Sequence, residues 1–231
     1  QVILEFSEPN VSLRYGISYI DCAQAERNLK REIGKNDVAT IAARGRTLWN
    51  DALGRIGVAG ASDDEKTVFY TALYRTYERM VCISEEGRYF SAYDGRVHDD
   101  EGRPFYVDDW FWDTFRAAHP LRTILDPQAE MDMMESMVRI ARQSEQMWMP
   151  VFPGVTGDSH SMNCNHGVAV IADCCAKGLT DFDVEAAYEV CRNALLEKTL
   201  APWSKAPAGR LDAFYREHGY FPALDPGSQE T

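Results

Sequence analysis

The residues best suited to chemistry lie at positions 105–121, F-Y-V-D-D-W-F-W-D-T-F-R-A-A-H-P-L. These seventeen positions hold two Trp, three Phe, one Tyr, three Asp, one Arg and one His. Trp110 and Trp112 alternate with the acids Asp109 and Asp113. A flat apolar ring beside a carboxylate suits a sugar, whose C–H faces stack on aromatics while its hydroxyls donate to the acid. The same composition also fits the start of a packed core helix, with Asp113 serving as a helix cap or as the ion-pair partner of Arg116.

A second polar group follows in G-D-S-H-S-M-N-C-N-H, positions 157–166. Asp158, His160, Asn165 and His166 stand at the expected start of a helix, where unpaired backbone N–H groups also face outward. A glycosidase needs two carboxyl groups across the scissile bond. With 36 acidic residues in the chain, composition cannot select that pair, and loop placement alone offers Asp109, Asp113 and Asp158. Other clusters carry less. Asp99, Asp100 and Glu101 lack the alternating spacing of a calcium loop and read as a solvated turn. The six cysteines form no C-x-x-C pair with a His partner, so zinc is not indicated, and they read as mostly free thiols. His98 and His218 are isolated. No metal-binding residues are assigned.

The net charge of −12 argues against nucleic acid and anionic membrane as partners. No apolar run is long enough to span a bilayer. The chain opens on Gln1, inside what reads as a strand, so the expected N-terminus of the natural protein lies upstream.

The elements that must position these groups are mostly helical. Val2, Leu4 and Phe6, then Val11, Leu13, Tyr15, Ile17 and Tyr19, alternate with period two and predict two strands. Near Asp21 the period becomes helical. Cys22, Ala25, Leu29 and Ile33 share a face that ends at Gly34, and Asn36 can cap a helix with Val38, Ile41, Gly45, Leu48 and Trp49 on one side. Phe69, Leu73 and Tyr77 form a further stripe. Residues 83–98 read as a loop or hairpin. A helix opens near Asp113 and ends before Asp126-Pro127, which starts the next, with Met131, Met134, Met137 and Val138 as its core stripe. Residues 149–161 read as a loop. Helices then run from about Asn163 to Lys177, stopping at Gly178, and from an Asp183 cap through Val184, Ala187, Tyr188, Cys191 and Leu195. Pro202, Pro207 and Gly209 break the chain before a short helix through Leu211 and Phe214 that stops at Gly219. Long polar, aromatic loops joining helical hairpins suggest an α/α toroid whose loops gather at one end.

Five motifs in order resemble one family: K-T-V-F-Y-T-A-L-Y-R from Lys66, G-R-Y from Gly87, W-D-T-F-R-A-A-H-P-L from Trp112, M-N-C-N-H from Met162 and A-K-G-L-T-D-F-D from Ala176. The series is similar to glycoside hydrolase family 92, the calcium-dependent exo-acting α-mannosidases. The resemblance implies a mainly α fold: an incomplete (α/α)6 toroid preceded by the last strands of a β-sandwich. Residues 1–20 would end the sandwich, 21–60 would be linker helices, and 61–231 the first part of the catalytic domain. It also implies an inverting enzyme that removes terminal α-linked mannose (α-1,2 or a related linkage) from N-glycans or mannan, with Ca2+ on the sugar hydroxyls. Family members are usually exported.

By the same resemblance, Asp113 matches the sugar-binding Asp and Trp112 flanks it. Met162 and His166 match M-I-G-Y-H or M-I-G-N-H, whereas Asn163 and Cys164 depart. His119 in H-P-L matches as a structural residue beside Pro120. The expected substrate-binding set is therefore Trp112, Asp113, Asp158, His160, Asn165 and His166. The family's general acid lies in E-G-N-A-W-Q-Y and its base in G-N-D-D. Neither segment occurs here, so catalytic residues and most calcium ligands are expected beyond Thr231. An expected alternative is a non-catalytic carbohydrate-binding or structural helical module. Part of a toroid would also leave apolar helix faces uncovered, which predicts aggregation or molten character.

Overall fold

The computed structural model describes residues 3–7, 10–161, 165–199 and 206–223. The expectations for Gln1, Val2, Glu8, Pro9, Met162, Asn163, Cys164, Pro202 and the tail from Leu224 lie outside the described residues. The described residues form nine helices and six short strands, and the chain divides into two compact units, Gln1–Gly57 and Val58–Thr231.

In the first unit, the alternating segments 3–7 and 10–20 are extended but join no β-ladder among the described residues. Period two specifies an extended chain, but a strand also needs a neighbour for its N–H and C=O groups. Helix α1 (Cys22–Glu32) starts at Asp21, whose carboxylate accepts the Gln24 N–H. Its predicted apolar face is only half-covered, and its deepest residues are polar: Gln24 and Asn28. The Asn28 amide donates to the Ile17 carbonyl at 3.0 Å, which ties the extended segment to the helix. At Gly16 the backbone comes so close that a Cβ would lie 2.3 Å from the Ala25 carbonyl oxygen.

Helix α2 (Val38–Leu53) is capped by Asp37 rather than Asn36, because the Asp37 carboxylate reaches the Thr40 N–H while the Asn36 amide turns back to Ile33 O. None of its residues is buried, and Val38 and Leu48 are 85% and 70% exposed.

The second unit is built on a buried helix. Helix α3 (Asp63–Arg75) has a capping box from Ser62 and Glu65, and Leu73 of its predicted stripe is buried. Two-stranded ladders follow: β1 (Val81–Cys82) with β4 (Tyr106–Val107), and the hairpin of β2 (Arg88–Ser91) with β3 (Arg96–Asp99). The helix expected from Asp113 to Leu125 is two pieces, α4 (Phe111–Thr114) and α5 (Ala118–Leu125). Helix α6 (Pro127–Gln143) carries Pro in its first turn as predicted, but the Asp126 side chain makes no cap bond because its backbone is turned out of cap geometry. Met134, Met137 and Val138 are fully buried, and α6 packs against α5, α7 (His166–Ala176), α8 (Val184–Leu196) and β4. The loop 149–161 contains the small ladder of β5 (Pro153–Gly154) with β6 (Gly157–Asp158). Gly178 and Gly219 take the left-handed conformation expected of helix stops.

On α8 the buried set is Ala186, Ala187, Val190, Cys191 and Ala194, while the larger Tyr188 and Leu195 are exposed. Small residues face α6, so the helices approach closely and the large side chains are displaced to the other side. Helix α9 (Arg210–His218) closes the described chain. Among the described residues no helix is long and apolar enough to cross a membrane.

The exposed apolar side of α2 predicts binding of a hydrophobic fluorescent dye and concentration-dependent association. Replacing both Val38 and Leu48 with Glu should lower both signals. Unchanged dye fluorescence in that variant would place the uncovered surface elsewhere.

Candidate sugar-facing site

The stretch 105–121 enters the core as β4 and leaves it as α5, and its acids separate into two environments. Asp109 is fully buried and Asp113 is exposed. One Asp109 oxygen accepts the Trp110 N–H at 2.7 Å and the Thr114 hydroxyl at 3.0 Å. The other meets His119 Nε2 at 2.7 Å. His119 Nδ1 lies 2.8 Å from Glu130 of α6, and the Arg122 guanidinium is 3.7 Å from the second Glu130 oxygen. Arg122 also donates to the Thr76 carbonyl at 2.9 Å.

Burial disfavours the charged imidazole of His119. Its hydrogen bonds to Asp109 and Glu130, and their negative charges, outweigh this and raise its pKa to about 9. His119 is thus an imidazolium that donates from both nitrogens. Its structural role agrees with the sequence reading; its buried acid partners were not foreseen, because Glu130 carries no motif.

The two tryptophans also separate. Trp110 lies under the Arg79 guanidinium, whose carbon is 3.7 Å from the ring centre, and stacks on Phe152 at 5.4 Å. Arg79 in turn pairs with Asp108 at 2.8 Å. Trp112 is as exposed as Trp110, at 42%, but has a looser cation neighbour, Arg116 at 5.9 Å. Asp113 sits in the first turn of α4, and among the described residues its carboxylate meets neither a cap donor nor Arg116. Both non-functional alternatives for Asp113 are therefore unmade here.

Helix α4 packs against α7, which brings His166 beside it. The His166 ring stacks on Phe115 at 3.9 Å with planes 11° apart. Burial and then the positive charge of Arg116 lower its pKa, so the ring is neutral at pH 7 and offers one donor and one acceptor. Asn165 is the residue before α7, and its side chain makes no cap bond. Trp112, Asp113, Phe115, Arg116, Asn165 and His166 thus belong to one pair of packed helix ends.

Asp158 and His160 stand apart from that group. Asp158 accepts the backbone N–H groups of Val151, Phe152 and His160 at 2.8, 2.9 and 3.0 Å, so its carboxylate is already committed to loop structure. Both residues line a cavity of about 390 Å³ with Tyr93, Glu145, Trp148 and Lys198, and neither Trp112 nor Asp113 borders it. Among the described residues no group of three or more His, Cys, Asp or Glu side chains gathers as a metal site. Described Cys22, Cys82, Cys174, Cys175 and Cys191 are free thiols.

The geometry thus sets an uncommitted acid beside an exposed indole on a mainly helical scaffold, and comparison with known proteins supplies the class. The glycosyl hydrolase family 92 catalytic domain matches residues 24–231, and the chain belongs to that family. It is similar to an inverting mannosidase of family 92 from Bacteroides thetaiotaomicron, at 32% identity and TM-score 0.77, covering 89% of this chain and 27% of that one. A family 92 α-mannosidase from the same organism aligns at 25% identity and TM-score 0.77, covering 89% of this chain and 26% of that one. That α-mannosidase in complex with mannoimidazole gives 26% identity and TM-score 0.75, over 89% and 26% of the two chains. This chain therefore spans about a quarter of the length of those structures. No curated protein matches it.

The raised pKa of His119 fixes a pH dependence. Its stabilising contribution is complete below its ordinary value of 6.5 and is lost as pH rises through about 9. Urea midpoints followed by Trp fluorescence should fall across that window, by on the order of 1–3 kcal/mol in stability. His119→Leu should remove the slope and cost roughly 3–5 kcal/mol, because two buried carboxylates lose their shared donor. A wild-type midpoint flat from pH 6.5 to 10 would contradict the imidazolium assignment.

Proposed function

We propose that the chain is part of an exo-acting, inverting α-mannosidase and supplies one wall of the pocket for terminal mannose on N-glycans or mannan, through α-1,2 or related linkages. The observation that carries this reading is the uncommitted carboxylate of Asp113 next to the open ring of Trp112. Asp113 accepts sugar hydroxyls, Trp112 takes an apolar C–H face, and neutral His166 with Asn165 completes the polar contacts. Asp158 and His160 shape the neighbouring loop rather than touch the same sugar. The fold is read as the first part of an (α/α)6 toroid, with residues 1–20 as the end of a sandwich, 21–60 as a linker and 61–231 as catalytic-domain helices. The inverting mannosidase and the mannoimidazole complex among similar structures support this assignment.

The general acid and base are placed outside this chain, since neither motif expected for them occurs in it. Family 92 enzymes are generally calcium-dependent, and a calcium ion would supply Lewis-acid contacts to sugar hydroxyls. The described side chains do not gather into a site for it.

The test measures hydrolysis and binding by the 231-residue chain. It should turn over no α-mannoside, with or without a calcium chelator, yet bind methyl α-mannoside weakly. Asp113→Ala should weaken that binding about tenfold or more, as loss of a charge-assisted hydrogen bond implies. Turnover by the chain alone would refute the placement of the acid and base. Binding that ignores Asp113→Ala would favour a helical module with a different sugar contact or none.

A further inference from the structure

Helix α4 is too short to hold itself. It has four residues, its N-cap is Trp110, and no side chain caps it in the ordinary way. A single helical turn is not stable on its own, because few hydrogen bonds offset the ordering of its backbone. What holds this one is the buried carboxylate before it. The same Asp109 oxygen accepts from the Trp110 N–H at the start of the turn and is the nearest acceptor to the Thr114 hydroxyl at its end, 3.0 Å away against 3.2 Å for the Trp110 carbonyl. Asp109 is itself tied at both sides. Its backbone N–H donates to the Pro153 carbonyl at 2.9 Å, and its second oxygen accepts from His119. His119 donates onward to Glu130 on the seventeen-residue core helix α6.

We propose that the buried Asp109–His119–Glu130 string is a positioning device, clasping α4 at both ends so that Trp112 and Asp113 inherit one fixed orientation from the core helix. The proposal rests on the reading of that turn as sugar-facing. Three well-packed apolar side chains could replace the whole string, since buried ion pairs are often no more stabilising than apolar groups of the same volume. What an apolar group cannot do is fix the rotamer of Asp109, and hence the direction of the two donors Asp109 receives. His119, Asp109 and Glu130 are positioning residues and touch no sugar themselves.

The charged and titratable groups around His119 are few. Asp109 and Glu130 face its two nitrogens. Arg122, from its own helix, lies against Glu130. Cys174 of α7 approaches the same Glu130 at 3.9 Å and stays a thiol, since burial pushes its pKa up to about 12. The Phe111 ring stacks at 5.6 Å and carries no charge.

The test uses the 15N-labelled chain and two variants, Thr114→Val and Asp113→Ala. As pH rises through about 9, the His119 ring nitrogens, the Trp110 amide and the Trp112 indole should shift along one titration curve. Thr114→Val removes the far end of the clasp and leaves Asp109, His119 and Glu130 themselves in place, so His119 and Trp110 should still titrate while Trp112 no longer follows. In the same variant the affinity for methyl α-mannoside should fall roughly three- to tenfold, with the urea midpoint almost unchanged. A Trp112 signal that ignores His119 in the wild type overturns the clasp. So does mannoside binding that responds to Asp113→Ala but not to Thr114→Val. Coupled resonances with binding indifferent to Asp113→Ala would keep the clasp and overturn the mannose reading alone.

Discussion

The imidazolium of His119 between Asp109 and Glu130 is the contact on which the functional stretch depends. Two carboxylates buried this deeply repel each other and lack water, so they need a shared cation with donors on opposite sides. His119 supplies that geometry, and Arg122 brings the local sum of two acids and two cations to neutrality. The string crosses from the segment after β4 through α5 to α6. It therefore joins the aromatic stretch to the helix that carries the core methionines. Packing alone would bury Phe105, Val107 and Phe111, but it would not decide which way the following turn points.

Around that anchor the polar groups divide by what already holds them. Asp109 and Asp158 accept several donors each and shape backbone, one for α4 and one for the loop at 151–160. Asp113 sits one turn of chain from Asp109, yet is left to solvent. The aromatics are equally exposed, at 42% each, and differ in their neighbours: Trp110 is engaged by Arg79 and Phe152, whereas Trp112 meets the more distant Arg116. A site that binds a hydroxylated ligand needs a carboxylate whose hydrogen-bonding capacity is unspent, and of Asp109, Asp113 and Asp158 that is Asp113 among the described residues.

Membership of family 92 gives these observations a context, and the coverage gives a scale. The chain matches about a quarter of each solved relative, and the faces of α2 and the extended segment before α1 are largely uncovered. Within the first unit, a groove of about 620 Å³ runs between Val11, Leu13, Ile33, Val38 and Ile41. Apolar side chains on a regular period are the mark of a surface suited to packing, and the extended segments 3–7 and 10–20, which join no ladder among the described residues, carry the same pattern.

Local rules read much of the fold directly. The stripe of Met134, Met137 and Val138, the stops at Gly178 and Gly219 and the Asp183 cap follow from the 3.6-residue period and from the φ > 0 that glycine tolerates. The aromatic and acidic character of 105–121, and the family it belongs to, were also legible. Other features were not, because they depend on partners far along the chain. Sequence spacing cannot show that His119 meets Glu130 eleven positions away while Asp113 meets no cap donor or cation among the described residues, or that Asp158 is spent on three backbone N–H groups. It also did not sort the residues of α8, where Ala187 and Cys191 are buried while Tyr188 and Leu195 stay exposed. The sequence by itself determined the helices, their punctuation and the chemical types at the site. Which carboxylate is free to bind was decided only by tertiary structure, because hydrogen-bond satisfaction is a property of the assembled surroundings and not of the residue.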